Sequence, residues 1–259
     1  MLRLASLFSG LLVGVAAVTS AGAQKASAET VTLAVAANFK LPAEKLISRF
    51  EAQTDHDVRL VIGSSGKLYA QILNGAPFDI FLSADQARPA QLDSKGLSVT
   101  GTRFTYATGI LSLWKPGADE TIDQTALMGA DIRHIALANP RLAPYGRAAQ
   151  EALTYFGLTD LLTSKFVMGE NVGQTFILLD TGNAEIGFIA RSQLSAITDE
   201  DVKGSAWTVP KDAYTPIRQD GVLLKRADDN LAAQAFFDYL KSSDAQALIT
   251  SLGYRSGDS

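Results

Sequence analysis

The chain has 259 residues, 47% hydrophobic and 19% charged, with 27 acidic against 23 basic side chains. This is globular composition, enough for one large or two smaller domains, and its acidic balance argues against a nucleic-acid binder. Cysteine is absent, which excludes disulfides, thiolate metal sites and cysteine nucleophiles; the two histidines, His56 and His134, stand outside any zinc spacing and read as surface or packing residues.

Residues 1–28 read as a secretory signal. Arg3 supplies the positive start, residues 4–18 are apolar and uncharged, and small residues follow, with A-x-A patterns at Ala21-Gly22-Ala23 and Ala26-Ser27-Ala28. An uncleaved anchor is the competing reading, because residues 4–23 nearly suffice to span a bilayer. The small-residue end and the lone Arg favour cleavage, and no Cys follows to carry a lipid. The expected location is therefore the periplasm, with no membrane insertion after cleavage. Removing residues 1–28 takes away Arg3 and Lys25 and no acid, leaving 21 cations against 27 acids and a net charge of −6. Any attraction for an anion must then be local.

From residue 29 onward, strand and helix signals alternate. Residues 31–36 form an apolar run; residues 41–53 carry Leu46, Ile47 and Phe50 at helical spacing, with Pro42 in the first turn. Residues 58–62 read as a strand, and Leu68, Tyr69, Ile72 and Leu73 mark one face of a helix. Residues 79–83 are a compact apolar strand and 86–95 a helix. A second series has strands at 110–114 and 135–138, a helix at 146–156, a strand at 166–168, a helix at 172–180 and a strand at 186–190. Residues 195–216 are polar and resemble a return crossing. A strand at 222–224 and helices at 231–241 and 244–252 close the chain.

This order predicts an α/β protein of two lobes, each a mostly parallel sheet flanked by helices. The expected division is residues 29–108 plus 219–259 for the first lobe, discontinuous in sequence, and 109–218 for the second.

Four short stretches place small polar or backbone-donor residues where a strand runs into a helix: Ala36-Ala37-Asn38, Gly63-Ser64-Ser65-Gly66, Ala143-Pro144-Tyr145-Gly146 and Glu170-Asn171-Val172. A helix start offers unpaired N–H groups and the positive end of a dipole. Ligands of open α/β sheets sit beyond the carboxyl ends of strands. Four such starts meeting in one cleft can hold a small oxyanion without formal positive charge.

Catalytic readings are weaker. Gly66-Lys67 fails as a phosphate loop, because Val61 and Leu68 stand where Gly and Ser/Thr are required. Ser64-Ser65-Gly66-Lys67 matches S-x-x-K, which makes a secreted serine hydrolase using Ser64 and Lys67 the remote alternative, but its companion S-D-N and K-T-G motifs are absent. Asp79 and Asp85 bracket a strand; Asp85 is expected to cap the next helix and Asp79 to end a turn.

Ala36-Ala37-Asn38-Phe39, Gly63-Ser64-Ser65-Gly66-Lys67-Leu68, the run from Asn74 to Asp85 (NGAPFDIFLSAD), Asn139-Pro140 with Ala143-Pro144-Tyr145-Gly146, and Gly169-Glu170-Asn171-Val172 occur in this order. Together they resemble the periplasmic molybdate-binding proteins of ABC importers, over nearly all of the chain after the signal, with 74–85 the most specific piece. The resemblance implies a type-II periplasmic binding protein: a monomeric clamp, not an enzyme, needing no cofactor. It implies that molybdate or tungstate is held between the lobes and handed to a membrane ABC permease. The implied ligand positions are Asn38, Ser65, Tyr145 and Val172, with Ala37 and Ser64 as further donors, and no side chain coordinates the metal directly. Two departures stand out. Many members carry Ser where this chain has Asn38, whose NH₂ also donates. Many carry a Tyr hydroxyl where this chain has Ala190, for which Tyr145 is the candidate replacement.

Such a pocket suits its ligand chemically. Molybdate at neutral pH is a fully deprotonated dianion that only accepts hydrogen bonds, so a matching site needs donors alone. Phosphate keeps a proton and benefits from an acceptor. None of the four main positions is acidic, although Glu170 is close. Donors alone do not separate molybdate from sulfate; cavity size must, and a relative tuned to sulfate is the alternative binding reading.

Overall fold

The computed structural model describes residues 29–197 and 204–257; the expected signal at 1–28 lies outside the described residues. Among the described residues, ten strands form two five-stranded sheets, and eight α-helices cover them. In chain order the first lobe begins with β1 (Thr30–Ala36), α1 (Lys40–Glu51), β2 (Asp57–Gly63), α2 (Ser65–Leu73), β3 (Ile80–Leu82), α3 (Ala87–Ser94) and β4 (Phe104–Gly109). The second contains β5 (Leu111–Lys115), β6 (Ile135–Ala138), α4 (Pro144–Tyr155), the short α5 (Thr159–Leu162), β7 (Phe166–Gly169), α6 (Val172–Asp180), β8 (Ile186–Ala190) and β9 (Ser205–Thr208). The chain then returns to the first sheet as β10 (Ile217–Leu223) and ends in α7 (Leu231–Lys241) and α8 (Ser243–Ser251).

The first sheet runs β2-β1-β3-β10-β4 and the second β7-β6-β8-β5-β9. In each, four strands share one direction and one opposes them: β10 pairs antiparallel with β3 and β4, and β5 pairs antiparallel with β8 and β9. The opposed strands are those next to the lobe crossings. Alternation along β1 explains its double-sided burial. Val31, Leu33 and Val35 pack with Phe50, Phe236 and Phe237 under α1 and α7, whereas Ala34 faces Leu68 and Ile72 of α2. In the second lobe, Leu111, Leu113 and Leu137 pack on Ala149 and Leu153 of α4. Trp114 faces the other way and stacks on Phe176 of α6, centroids 5.1 Å apart. Each such fully buried large apolar side chain contributes about 1.5–3 kcal/mol.

The crossings lie side by side. A single residue, Ile110, separates β4 from β5, and Gly109 pairs with Ile217, where the chain returns. β4, β9 and the first half of β10 have no counterpart in the expected strands; residues 195–216, read as a plain return crossing, include β9. Among the described residues no helix is long and apolar enough to cross a membrane.

Candidate functional site

All four predicted junctions are strand-to-helix turns, and they meet. One small cavity is lined by Ala36, Ala37 and Asn38 after β1, Ser64 and Ser65 after β2, Ala84 after β3, Ala143, Pro144 and Tyr145 at the start of α4, and Asn171 and Val172 at the start of α6. None of these residues is charged. The six positions expected from sequence are thus brought together, three from the first lobe's β1 and β2 turns with Ser64 beside them, and two from the second lobe.

At the helix starts, part of the backbone is already engaged. In α2, Ser64 Oγ accepts from Lys67 N–H, the Ser64 carbonyl accepts from Leu68 N–H, and Gly66 N–H donates to Leu142 O. In α6, Asn171 Oδ1 accepts from Gln174 N–H and the Asn171 carbonyl from Thr175 N–H. In α4, Pro144 has no N–H, and the Ala143 carbonyl accepts from Gly146 and Arg147. The first-turn N–H groups of Ser65, Tyr145 and Val172 have no acceptor within their own helices, and the Asn38 N–H lies in the short 3₁₀ turn, Ala37–Phe39, that leads into α1. Ser65, Tyr145 and Val172 sit in the first turn of an α-helix, at the end that carries about half a positive charge.

The side chains add hydroxyls. Ser65 Oγ accepts from Ala84 N–H at 2.9 Å, and Ser64 Oγ from Lys67 N–H at 3.3 Å. With an oxygen lone pair engaged by backbone, each hydroxyl proton is available to donate. Asn38 differs from expectation. Its Nδ2 donates to Gln219 Oε1 at 2.8 Å and to Tyr254 Oη at 3.0 Å, so its NH₂ faces the protein and its backbone N–H is the remaining donor.

Behind the cavity stands a buried polar network that the sequence did not announce. Tyr254 Oη donates to the Asn38 carbonyl at 2.7 Å and accepts from Ser192 Oγ at 3.0 Å. Tyr106 Oη lies 3.0 Å from both Gln219 Oε1 and the Ser83 carbonyl. Gln219 Nε2 points to Tyr145 Oη at 3.5 Å. Burial pushes the Tyr145 hydroxyl well above the usual phenol range, with Tyr254, Tyr214 and Tyr106 adding to the effect. Tyr106 and Tyr254 are raised for the same first reason, burial. All three stay neutral donors. Where Ala190 ends β8, Gln193 fills the corner: its Oε1 accepts from Ala190 N–H at 2.9 Å and its Nε2 donates to the Val172 carbonyl at 3.1 Å.

The charged residues near the site are paired with one another. Lys67 Nζ lies 3.0 Å from Glu170 Oε2, across the lobes. Lys67 is therefore held by a carboxylate and not by Ser64, an arrangement unsuited to an acyl-transfer base. Asp85 Oδ1 accepts from Arg88 N–H at 3.1 Å, capping the start of α3, and its carboxylate also pairs with the Arg88 guanidinium. Asp79 accepts from Thr32 N–H at 2.7 Å and from Arg226 at 2.8 Å, tying β3 to β1 and to the residues after β10. Neither carboxylate lines the cavity, and no group of three His, Asp or Glu residues able to hold a metal ion occurs among the described residues. His56 stacks on Phe50, centroids 6.2 Å apart, and His134 sits beside Glu185.

Two α/β lobes joined by adjacent crossings, closing on an uncharged cavity rich in hydrogen-bond donors, define a solute-binding protein of the two-lobed clamp type. Residues 31–255 match the model of the bacterial extracellular solute-binding proteins, and the chain belongs to that family. It is similar to the molybdate-binding protein ModA of Azotobacter vinelandii, 46% identical over 88% of this chain and 91% of the relative. It is also similar to ModA of Rhodobacter capsulatus, 43% identical over 88% and 89%. The solved structure of the Azotobacter vinelandii periplasmic molybdate-binding protein superposes with a TM-score of 0.81 at 39% identity, covering 87% of this chain and 98% of that one.

Proposed function

We propose that this protein captures molybdate, and tungstate with it, by hydrogen bonds between its lobes and delivers the anion to a membrane ABC permease. The observation that carries the reading is the convergence of four helix starts on one cavity with no charged lining residue. Backbone N–H groups of Asn38, Ser65, Tyr145 and Val172, with Ala37 N–H and the hydroxyls of Ser64 and Ser65, are the donors assigned to the anion. A ligand that only accepts hydrogen bonds matches a site that only donates them. Each bond to the dianion contributes about 1.5–3 kcal/mol. Several together offset dehydration and reach the nanomolar range, about −12 kcal/mol. The names of the two curated relatives point to the same anion.

The reading makes the protein a monomeric periplasmic carrier and not a catalyst, exported by residues 1–28. It takes 29–108 with 219–259 as one lobe and 109–218 as the other; the return of β10 to the first sheet supports a discontinuous first lobe, and that sheet also takes in Gly109, Ile217 and Arg218 at the boundaries. Lobe closure excludes water, strengthens each contact and changes the outer surface that a permease meets.

Calorimetric titration with molybdate, tungstate, sulfate and phosphate tests the assignment. One tight site for the first two and weak or absent heat for the others is expected. No heat with molybdate or tungstate, while another anion binds tightly, overturns it.

A further inference from the structure

We propose that Gln219 is the positioning residue of the anion site, its side-chain amide holding Asn38 of the first lobe and Tyr145 of the second in one hydrogen-bonded unit that forms on closure. The proposal rests on the anion-binding reading above and goes beyond it to a residue outside the cavity lining. Gln219 lies on β10 and is fully buried. Its Oε1 accepts from Asn38 Nδ2 at 2.8 Å and lies 3.0 Å from Tyr106 Oη, while its Nε2 reaches Tyr145 Oη at 3.5 Å. The bonds to Asn38 and Tyr106 lie within the first lobe. The bond to Tyr145 crosses to the second and joins residues carried by different sheets.

The backbone is shaped for this contact. Gln219 pairs with Ala107 and Asp220 with Thr105, so Tyr106 is the extra residue of a bulge in β4. A bulge re-aims side chains where a sheet meets a functional site; here it lets Tyr106 reach Gln219. At Gly109, the last residue of β4, an added Cβ would lie 2.2 Å from Tyr145 Oη and 2.7 Å from Gln219 Nε2. Only glycine leaves room at the lobe crossing for the two side chains to meet.

A primary amide is the one uncharged side chain that accepts two bonds on its oxygen while donating from its nitrogen. A carboxylate here would lose the donor and add negative charge beside the anion. With Asn38 fixed through its amide, the Asn38 backbone N–H is held toward the cavity. With Tyr145 fixed through its hydroxyl, the start of α4 is held against the first lobe. The unit therefore stabilises the closed, loaded form and slows release.

The experiment measures molybdate association and dissociation rates by stopped flow for the full chain, Gln219→Met, Tyr145→Phe and the double variant. Tyr145→Phe keeps the backbone N–H and removes only the hydroxyl. Each single change is expected to raise the dissociation rate about tenfold, with association altered less than about threefold. The double variant is expected to match the singles, because both remove the same unit. A purely structural Gln219 would instead lower the thermal midpoint without separating the two rates. Unchanged dissociation in both singles, or a double variant equal to the product of the two, overturns the proposal. If Gln219→Met does not fold, Tyr145→Phe alone decides, and an unchanged dissociation rate overturns it. A wild-type chain giving no molybdate signal overturns the anion-binding reading and this inference together; wild-type binding with unaltered variants overturns only the inference.

Discussion

The backbone N–H of Gly66 donates to the carbonyl oxygen of Leu142 at 2.9 Å, joining the start of α2 in the first lobe to the turn before α4 in the second. A Cβ at Gly66 would lie 3.0 Å from that oxygen, 3.1 Å from Leu142 Cα and 3.0 Å from Arg88 Nη2. Closure thus depends on a residue without a side chain. Within its own lobe the added methyl would meet only the tip of the Arg88 side chain, which can shift, and alanine there gains up to about 1 kcal/mol of helix propensity. Gly66→Ala should therefore leave the ligand-free thermal midpoint unchanged or raised, while molybdate binds about tenfold more weakly, a difference of about 1.4 kcal/mol. Calorimetry beside thermal melts checks both, and undiminished affinity would show that the lobes close without this contact.

Ser65 serves two partners. Its oxygen accepts from Ala84 N–H at 2.9 Å, and its proton is assigned to the anion. Ser65→Ala removes a charge-assisted bond of about 1.5–3 kcal/mol, hence about 10- to 100-fold in affinity. It also leaves a buried N–H unpaired, at a cost to folding of about 1 kcal/mol or more. Titration and denaturant melts of the same variant separate the two losses. Full affinity in Ser65→Ala removes this hydroxyl from the site.

Lys67 and Glu170 face one another across the cleft, 3.0 Å apart, with both side chains partly in water. Such a pair contributes only about 0–1 kcal/mol and is screened by salt. Lys67→Met is expected to speed molybdate release by no more than about fivefold at low ionic strength. The difference should vanish near 1 M salt, where screening acts over about 3 Å. A loss beyond tenfold that persists in high salt would place the Lys67 ammonium on the anion itself.

Elements with their own local pattern are legible in the chain: the spans expected for the strand at 135–138, the helix at 172–180, the strand at 186–190 and the helix at 231–241 coincide with β6, α6, β8 and α7. β4 and the first half of β10 are not, because each becomes a strand by pairing with the other across more than a hundred residues. Gln219 and Asp220 look like surface residues in sequence. They are buried because Asp220 meets Arg103 at 2.9 Å and Thr105 at 2.7 Å, and Gln219 meets Asn38. The cavity lining is legible for a simple reason: a donor at a helix start is a local property of a strand–turn–helix segment. The network behind it is not, since Asn38 and Tyr254 are 216 positions apart. The same distance hides the inward turn of the Asn38 amide, which local sequence assigns to the ligand.

Glu185, which opens the way into β8, makes a prediction about pH. Burial alone would raise its carboxyl, but the backbone N–H groups of His134 and Arg133, at 2.7 Å and 3.1 Å, outweigh that and hold it below its ordinary value of 4.5. These bonds anchor the chain just before β6 to the chain just before β8, the pair of parallel strands at the centre of the second sheet. A group whose folded value is depressed stabilises the native state above its unfolded value and loses that contribution as the pH falls through the folded one. Glu185→Gln should therefore cost about 1 kcal/mol at pH 7, where the carboxylate is ionised and accepts both bonds. The gap between wild type and variant should stay constant down to about pH 5.5 and close as the pH drops through 4.5 and below. Urea melts of both proteins at matched ionic strength from pH 7 to pH 3 measure it. A gap that is constant over the whole range would mean that the loss is one of shape and not of charge, and that the two N–H groups gain nothing from an ionised partner.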